Sequence, residues 1–287
     1  MTARREAAAL ATFTEPLLAW YARRRRDLPW RRTRDPYRLL VSEVMLQQTQ
    51  AARVADRYES FLVRFPGAAA LAAATPAEVL SAWSGLGYNR RALALQQAAR
   101  VVSRDGWPRD SAGLRRLPGV GPYTAAAVAS FAWGEPVAAI DTNVRRVVER
   151  VDRRRHAPAA LARRTARILP ADRAADFNQA MIELGATVCT ARAPACPRCP
   201  VAGTCRSRGL ADPPRWRRRT TQPRFEETDR YLRGRVVAGL VAGAARLPEA
   251  VEAQRMERVL DGLERDGLVV RRDGRLSLPG APKLPLG

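Results

Sequence analysis

Four cysteines, two carboxylates and one glycine turn are the residues of this chain whose types and spacing could do chemistry. The cysteines fall together as Cys189, Cys196, Cys199 and Cys205, in the pattern C-x6-C-x2-C-x5-C. Four thiolates on one loop can hold Zn²⁺ or an iron–sulfur cluster. Zinc loops usually close with two short C-x2-C knuckles, and here there is one short pair, so the spacing favours iron–sulfur over zinc. A structural staple that never meets a substrate is compatible with either metal. The run Leu117-Pro118-Gly119-Val120-Gly121 sits between two helical patterns, and Pro122 takes the favoured first position of the second. Glycines there permit a tight turn and leave backbone amides bare at a helix N-terminus, which is a phosphate seat; a plain helix–helix connection is the alternative. Glu43 shares a helix face with Leu39, Leu46 and Gln50, and apolar neighbours would favour its protonated form. Asp141 precedes a helix as an N-cap, where the helix dipole favours the ionised carboxylate.

The elements that must position these groups are helical. One helix is expected over 1–28, ending in Arg23-Arg24-Arg25-Arg26 before Pro29-Trp30. Pro36 opens a long helical pattern with the stripe Tyr37, Leu40, Val41, Val44, Val54, Tyr58, Phe61 and Leu62, interrupted at its middle by Gln47 and Gln48. Shorter helices are expected at 68–74, 76–84, 89–104, 111–117, 122–133, 142–152, 158–168 and 173–187, separated by Pro and Gly punctuation. No strand-like alternation precedes residue 235. The basic, proline-containing stretch 206–228 reads as a linker. Helices near 229–246 and 248–266 follow, then Leu268–Arg272 and Arg275–Leu278 flanking Asp273-Gly274, a hairpin signal. Two helices and a hairpin form a winged-helix-like order.

The 287 residues suffice for two or three packed units. Fifty Lys+Arg against 28 Asp+Glu give a net charge of +22, which points to a polyanion, most simply nucleic acid, before an acidic membrane surface. The basic residues are arginines apart from Lys283, and His156 is the one histidine. A triad needing a second histidine and a histidine-rich metal site are therefore excluded, and lysine chemistry would have to use the tail. No run of 18 apolar residues exists, so no membrane span or membrane partner is expected. MTARREAAAL lacks an apolar signal core, so the chain reads as cytoplasmic.

Together these residues carry a family resemblance. Leu117–Thr124, followed after 16 residues by Asp141, looks like the helix–hairpin–helix DNA glycosylase superfamily, and the cysteine loop is similar to its [4Fe–4S] branch. Within that branch, Pro29-Trp30-Arg31, the run Glu43 to Gln50 (EVMLQQTQ), Gly85-Leu86-Gly87-Tyr88 and Ile182-Glu183-Leu184-Gly185-Ala186 resemble the MutY-type adenine DNA glycosylases, over about residues 10–210. The resemblance implies a mainly α, two-lobed fold. Residues 1–28 and 141–212 would form an iron–sulfur lobe, 29–140 a six-helix lobe with the helix–hairpin–helix, 213–228 a linker, and 229–287 a short winged-helix-like C-terminal domain. That domain stands where the family usually has a longer mixed α/β (Nudix-like) one, and Asn89 stands where it more often has a second aromatic.

The implied activity is monofunctional hydrolysis of the N-glycosidic bond of adenine mispaired with 8-oxoguanine or guanine in double-stranded DNA, in base excision repair, by a nucleoid-associated monomer. Such hydrolysis needs an acid for the leaving base and a negative charge for the sugar cation. Glu43 would protonate the adenine ring nitrogen and then activate water. Asp141, partnered by Asn143, would stabilise the sugar cation. Tyr123 and Glu183 would orient the flipped adenine, in a pocket lined by Arg26, Trp30, Arg31 and Leu46. Gln48, Thr49 and Tyr88 would meet the gap or the opposite base, Gly119, Val120 and Gly121 the DNA backbone, and Cys189, Cys196, Cys199 and Cys205 would ligate the [4Fe–4S] cofactor. In the C-terminal segment Arg233, Arg235, Arg271, Arg272 and Arg275 suit phosphate contacts rather than base reading.

Three rivals remain in view. An endonuclease-III-type glycosylase/lyase needs a lysine just after the hairpin to form a Schiff base, and that position is Tyr123. A non-catalytic iron–sulfur DNA-binding protein would not need Glu43 and Asp141 together. An iron–sulfur redox sensor would not need four ligands in so closed a loop.

Overall fold

The computed structural model describes residues 2–212, 223–243, 251–272 and 275–281, with side chains from residue 12 onward. The first helix, α1 (Thr2–Arg24), stops before a 3-10 turn, Pro29–Arg31. The long pattern opened by Pro36 is two helices, α2 (Pro36–Leu46) and α3 (Ala51–Arg64). The break falls at Gln48, whose φ of 57° is left-handed and cannot continue a right-handed helix. Gln50 is consequently the N-cap of α3 and not, as expected, part of the Glu43 face.

The helices α4 (Ala68–Ala73), α5 (Pro76–Ala82) and α6 (Arg90–Asp105) follow. Thr75 and Glu78 close a reciprocal capping box that fixes the start of α5. The short α7 (Ser111–Leu114) begins where Asp110 accepts the Gly113 amide at 2.6 Å, and α8 spans Pro122–Trp133. The remaining helices before the cysteine loop are α9 (Thr142–Asp152), α10 (Pro158–Ala166) and α11 (Ala174–Thr187). The C-terminal segment contains α12 (Asp229–Val241), α13 (Ala253–Arg265) and an antiparallel pair, β1 (Val270–Arg272) with β2 (Arg275–Ser277), in which Arg272 faces Arg275. This is the expected order of two helices and a hairpin. Its turn, Asp273-Gly274, and most of the expected linker, 213–222, lie outside the described residues, as does Lys283.

The chain divides into two compact units. Met1–Leu39, Pro108–Arg116 and Val120–Arg219 form one, and Leu40–Trp107, Leu117–Gly119 and Thr220–Gly287 the other. Against the expected ranges, 29–39, 108–116 and 120–140 fall with the cysteine-loop residues, and 229–287 falls with α3 to α6. The helix α8 falls with the cysteine-loop unit, because Asn178 on α11 donates to Ser130 Oγ at 2.9 Å and to Val137 O at 2.8 Å and accepts from Ala139 N at 3.0 Å. The segment 229–287, expected as a domain of its own, belongs with the unit of α3 to α6: Ala77 N donates to Pro279 O at 3.0 Å, and Arg90 pairs with Asp266 at 3.5 Å.

The first unit is built on apolar faces of α1, α9 and α11, with Leu17, Tyr21, Val147, Phe177, Met181 and Leu184 buried among them. The second has Trp83 at its centre, its ring meeting Phe61 edge-on at 5.9 Å. No helix among the described residues is long and apolar enough to cross a membrane.

Candidate active site and cysteine loop

Asp141 sits at the N-terminus of α9 with both oxygens engaged. Oδ1 accepts the Val144 amide at 2.7 Å and Oδ2 accepts Asn143 Nδ2 at 2.7 Å. Arg146, one turn along α9, donates to Asn143 Oδ1 at 2.8 Å, to Gly185 O at 2.6 Å and to Cys189 O at 2.8 Å. A continuous chain of hydrogen bonds thus runs from the Asp141 carboxylate to the first residue of the cysteine loop. It depends on Gly185, because a Cβ there would come within 2.6 Å of the Asn143 Cβ.

In the same unit Glu183 is 0% exposed and takes a forked hydrogen bond from Arg26 (2.8 Å to each oxygen) and another from Arg31 at 2.7 Å. Burial pushes the Glu183 carboxyl up, but the hydrogen bonds from the two guanidiniums outweigh it, and the net shift is downward. Trp30 is buried in the 3-10 turn, and Tyr123 is half-buried at the second position of α8.

The cysteine loop is shaped by two 3-10 turns, Cys196–Arg198 and Ala202–Thr204. All four cysteines line one apolar cavity with Val147, Val151, Leu184, Val188 and Val201. Arg150, buried beside it, donates to Cys189 Sγ at 3.4 Å and to Thr190 O at 2.7 Å, and pairs with Asp212 at 2.6 Å. Burial pushes the Cys199 thiol up to about 11, partly offset by a hydrogen bond from the Val201 backbone. Among the described residues no three His, Cys, Asp or Glu side chains converge closely enough to hold a single bare ion.

In the other unit Glu43 is buried on α2, at 4% exposure, with Leu46 half-buried one turn on. Beyond α2 the chain makes the turn of exposed Gln48 and half-buried Thr49. A second turn ends in Tyr88, which is also left-handed, at φ 48°. One residue ties the two turns together. Arg91 donates to Val44 O (2.8 Å), Met45 O (3.0 Å), Gln47 O, Thr49 Oγ1 (3.1 Å), Leu86 O (3.2 Å) and Gly87 O (3.0 Å). Burial lowers its pKa to about 10, so it stays charged at neutral pH.

The hairpin joins α7 to α8. Gly119 has φ 74°, and a Cβ there would lie 2.7 Å from Ala94 Cβ on α6, so the turn needs glycine on both counts. Val120 is buried, and no side chain caps α8 at Gly121. In the C-terminal segment two of the arginines expected at phosphates are paired within the protein. Arg233 bonds Asp266, and Arg271 bonds Glu257, Asp261 and Glu264.

A family model described as HhH-GPD superfamily base excision DNA repair protein matches residues 41–171. An adenine DNA glycosylase of Mycolicibacterium smegmatis is 46% identical over 281 residues, covering 92% of this chain and 95% of that protein. The chain belongs to the adenine DNA glycosylase family. The family extends to a human adenine DNA glycosylase, 42% identical over 71% of this chain but only 41% of the human protein. Among solved structures, a thermostable thymine-DNA glycosylase superposes with a TM-score of 0.64 at 31% identity, over 71% of this chain and 97% of that one. A trapped endonuclease III–DNA covalent intermediate gives 0.61 at 26% identity, over 72% and 96%. The mycobacterial match runs into the C-terminal segment, so the short tail is shared with that adenine DNA glycosylase.

Sequence reasoning missed Arg91, Arg146 and Arg150. In a chain this rich in arginine their residue type carries no signal. Arg146 alone had a local clue, its i, i+3 spacing from Asn143 on a helix.

Proposed function

We propose that this adenine DNA glycosylase hydrolyses the N-glycosidic bond of adenine opposite 8-oxoguanine or guanine in double-stranded DNA, and leaves the strand intact. The observation that carries this reading is the setting of Asp141, oriented by the Val144 amide and by Asn143 at a helix N-terminus. That is a fixed negative group for a cationic sugar. Glu43, buried on α2, is the acid that gives its proton to the adenine ring nitrogen as the bond to C1′ breaks. The resulting carboxylate then takes a proton from the water that adds to C1′. Tyr123, where a lyase would have lysine, leaves no amine to attack the sugar.

The remaining assignments follow the family pattern. Arg26, Trp30, Arg31, Leu46 and Glu183 shape the pocket for the flipped base, with Glu183 held by the two arginines. Gln48, Thr49 and Tyr88 meet the opposite base, and Gly119, Val120 and Gly121 the phosphodiester backbone.

Four thiols around one apolar cavity, with no imidazole or carboxylate among them, suit a [4Fe–4S] cluster held by Cys189, Cys196, Cys199 and Cys205. When bound it supplies a structural crosslink, and Arg146 and Arg150 connect that loop to α9.

The test is incubation with duplexes carrying adenine opposite 8-oxoguanine, guanine, cytosine or thymine. Strand breaks should appear after alkali and only in the first two. Borohydride trapping of a stoichiometric lysine-linked adduct would refute the monofunctional reading. Purified protein should carry iron and sulfide, and one zinc without iron would overturn the cluster assignment.

A further inference from the structure

Tyr88 does not hold its left-handed conformation alone. The guanidinium carbon of Arg91 lies 5.3 Å from the centre of its ring and that of Arg230 lies 5.0 Å away. Arg230 also donates to the Tyr88 hydroxyl. The same Arg230 sits 4.8 Å from the Phe225 ring, and Arg91 sits 5.5 Å from the Trp83 ring. Rings and cations therefore alternate through five side chains: Phe225, Arg230, Tyr88, Arg91 and Trp83.

Both ends of this ladder are anchored. Trp83 is 0% exposed, and Arg91 is pinned by the carbonyls of two turns. At the other end the 3-10 turn Phe225–Glu227 leads into α12 through Thr228, whose hydroxyl donates to Phe225 O at 2.6 Å and accepts the Tyr231 amide at 3.3 Å. Phe225 meets the Tyr231 ring edge-on at 5.5 Å. Arg255 on α13 ties this corner down through Glu227 O and Asp229.

We propose that Phe225 and Arg230 are positioning residues for base selection. They hold Tyr88 in the orientation in which it meets the base opposite the excised adenine. The short C-terminal segment then acts on the choice between 8-oxoguanine and guanine through Tyr88, not by gripping phosphates. This rests on the reading above that Tyr88 faces the opposite base. Two observations favour it over a phosphate clamp. The Arg230 guanidinium is already engaged by a hydroxyl and two rings, and Phe225 has no charge to offer a phosphate. Without the ladder, a left-handed tyrosine is disfavoured and would relax toward other backbone conformations.

The experiment measures single-turnover adenine release from duplexes with 8-oxoguanine or guanine opposite, using full-length Phe225→Ala, Arg230→Ala and Arg230→Lys. Arg258→Ala, an exposed arginine on α13, controls for loss of one charge. Phe225→Ala and Arg230→Ala should each lower the ratio of the two rates by about three- to tenfold, the scale of one cation–π contact and one hydrogen bond. Arg230→Lys should restore part of that loss, Arg258→Ala should leave the ratio unchanged, and Phe225→Ala should add nothing in a Tyr88→Ala background. If Arg230→Ala weakens binding to both duplexes equally with a shallower salt dependence, while Phe225→Ala keeps the ratio, Arg230 is a phosphate contact and the proposal is wrong. An unchanged ratio in both alanine variants also overturns it. A parent protein that discriminates but variants that do so equally well sink this proposal alone; a parent that releases no adenine from either duplex sinks the functional reading, and this one with it.

Discussion

Asp141 and Glu43 sit in different settings, which suits the separate tasks proposed for them. Asp141 accepts one amide and one carboxamide, so it is held in place as an acceptor. Glu43 is buried on a helix whose neighbouring turns supply leucines. Glu43→Gln and Asp141→Asn should each slow adenine release by about 100-fold or more while duplex binding persists, as expected for loss of an acid or of a charge at the reacting carbon. Single-turnover rates beside binding isotherms decide this, and near-parental turnover in either variant removes that residue from the mechanism. Arg91 is a different kind of residue, one that ties the turns after α2 and before α6 together. Arg91→Met deprives seven acceptors of their donor, and should lower the free energy of urea unfolding by about 3 kcal/mol at roughly 1 kcal/mol per hydrogen bond, discounted for the long bond to Tyr88 O and for water reaching the exposed ones.

Among the elements, α9 and α11 set the distance on which the Asp141–Asn143–Arg146 chain depends. Gly185→Ala would push a methyl group to within 2.6 Å of Asn143. The variant should lose about 1–3 kcal/mol of stability by overpacking, and its excision rate should fall further than stability alone accounts for. Comparing its rate well below its melting temperature with that of the parent separates the two effects. The same elements show where sequence reading reached its limit. The bounds of α8 were legible because Pro122 and Gly134 punctuate them and alanines fill the interval. The carboxylates and the cysteine loop were legible because each is a local pattern. The splitting of α2 from α3 was visible only as polar residues in an apolar stripe, since a glutamine gives no sign that it will adopt φ 57°. The docking of the C-terminal segment was not legible at all. It turns on the Ala77 amide meeting the Pro279 carbonyl, a backbone pairing across some two hundred residues that no side-chain pattern announces.

At the scale of the whole molecule, the net charge of +22 sets the response to salt. Neutralising about 5 to 8 phosphates gives a slope of about −5 to −7 for log K against log salt, measurable by titration of undamaged duplex; a slope near zero would mean that the arginines face away from DNA. Two of the left-handed non-glycine residues, Gln48 and Tyr88, bear on the whole molecule in another way. Each sits where glycine would be more comfortable, so this protein does not occupy the stability maximum open to its own backbone. Gln48→Gly should relieve more unfavourable backbone energy than it adds in chain entropy, a net gain of about 0.5–1 kcal/mol visible as a higher urea midpoint. The same change removes a side chain proposed to meet the opposite base, so on that reading the hardier protein should discriminate less well between 8-oxoguanine and guanine. Selection for thermal robustness alone would therefore erode fidelity at this turn, and a thermostable variant obtained that way should spend more of its turnovers on adenine opposite ordinary guanine and fewer on adenine opposite the oxidised base.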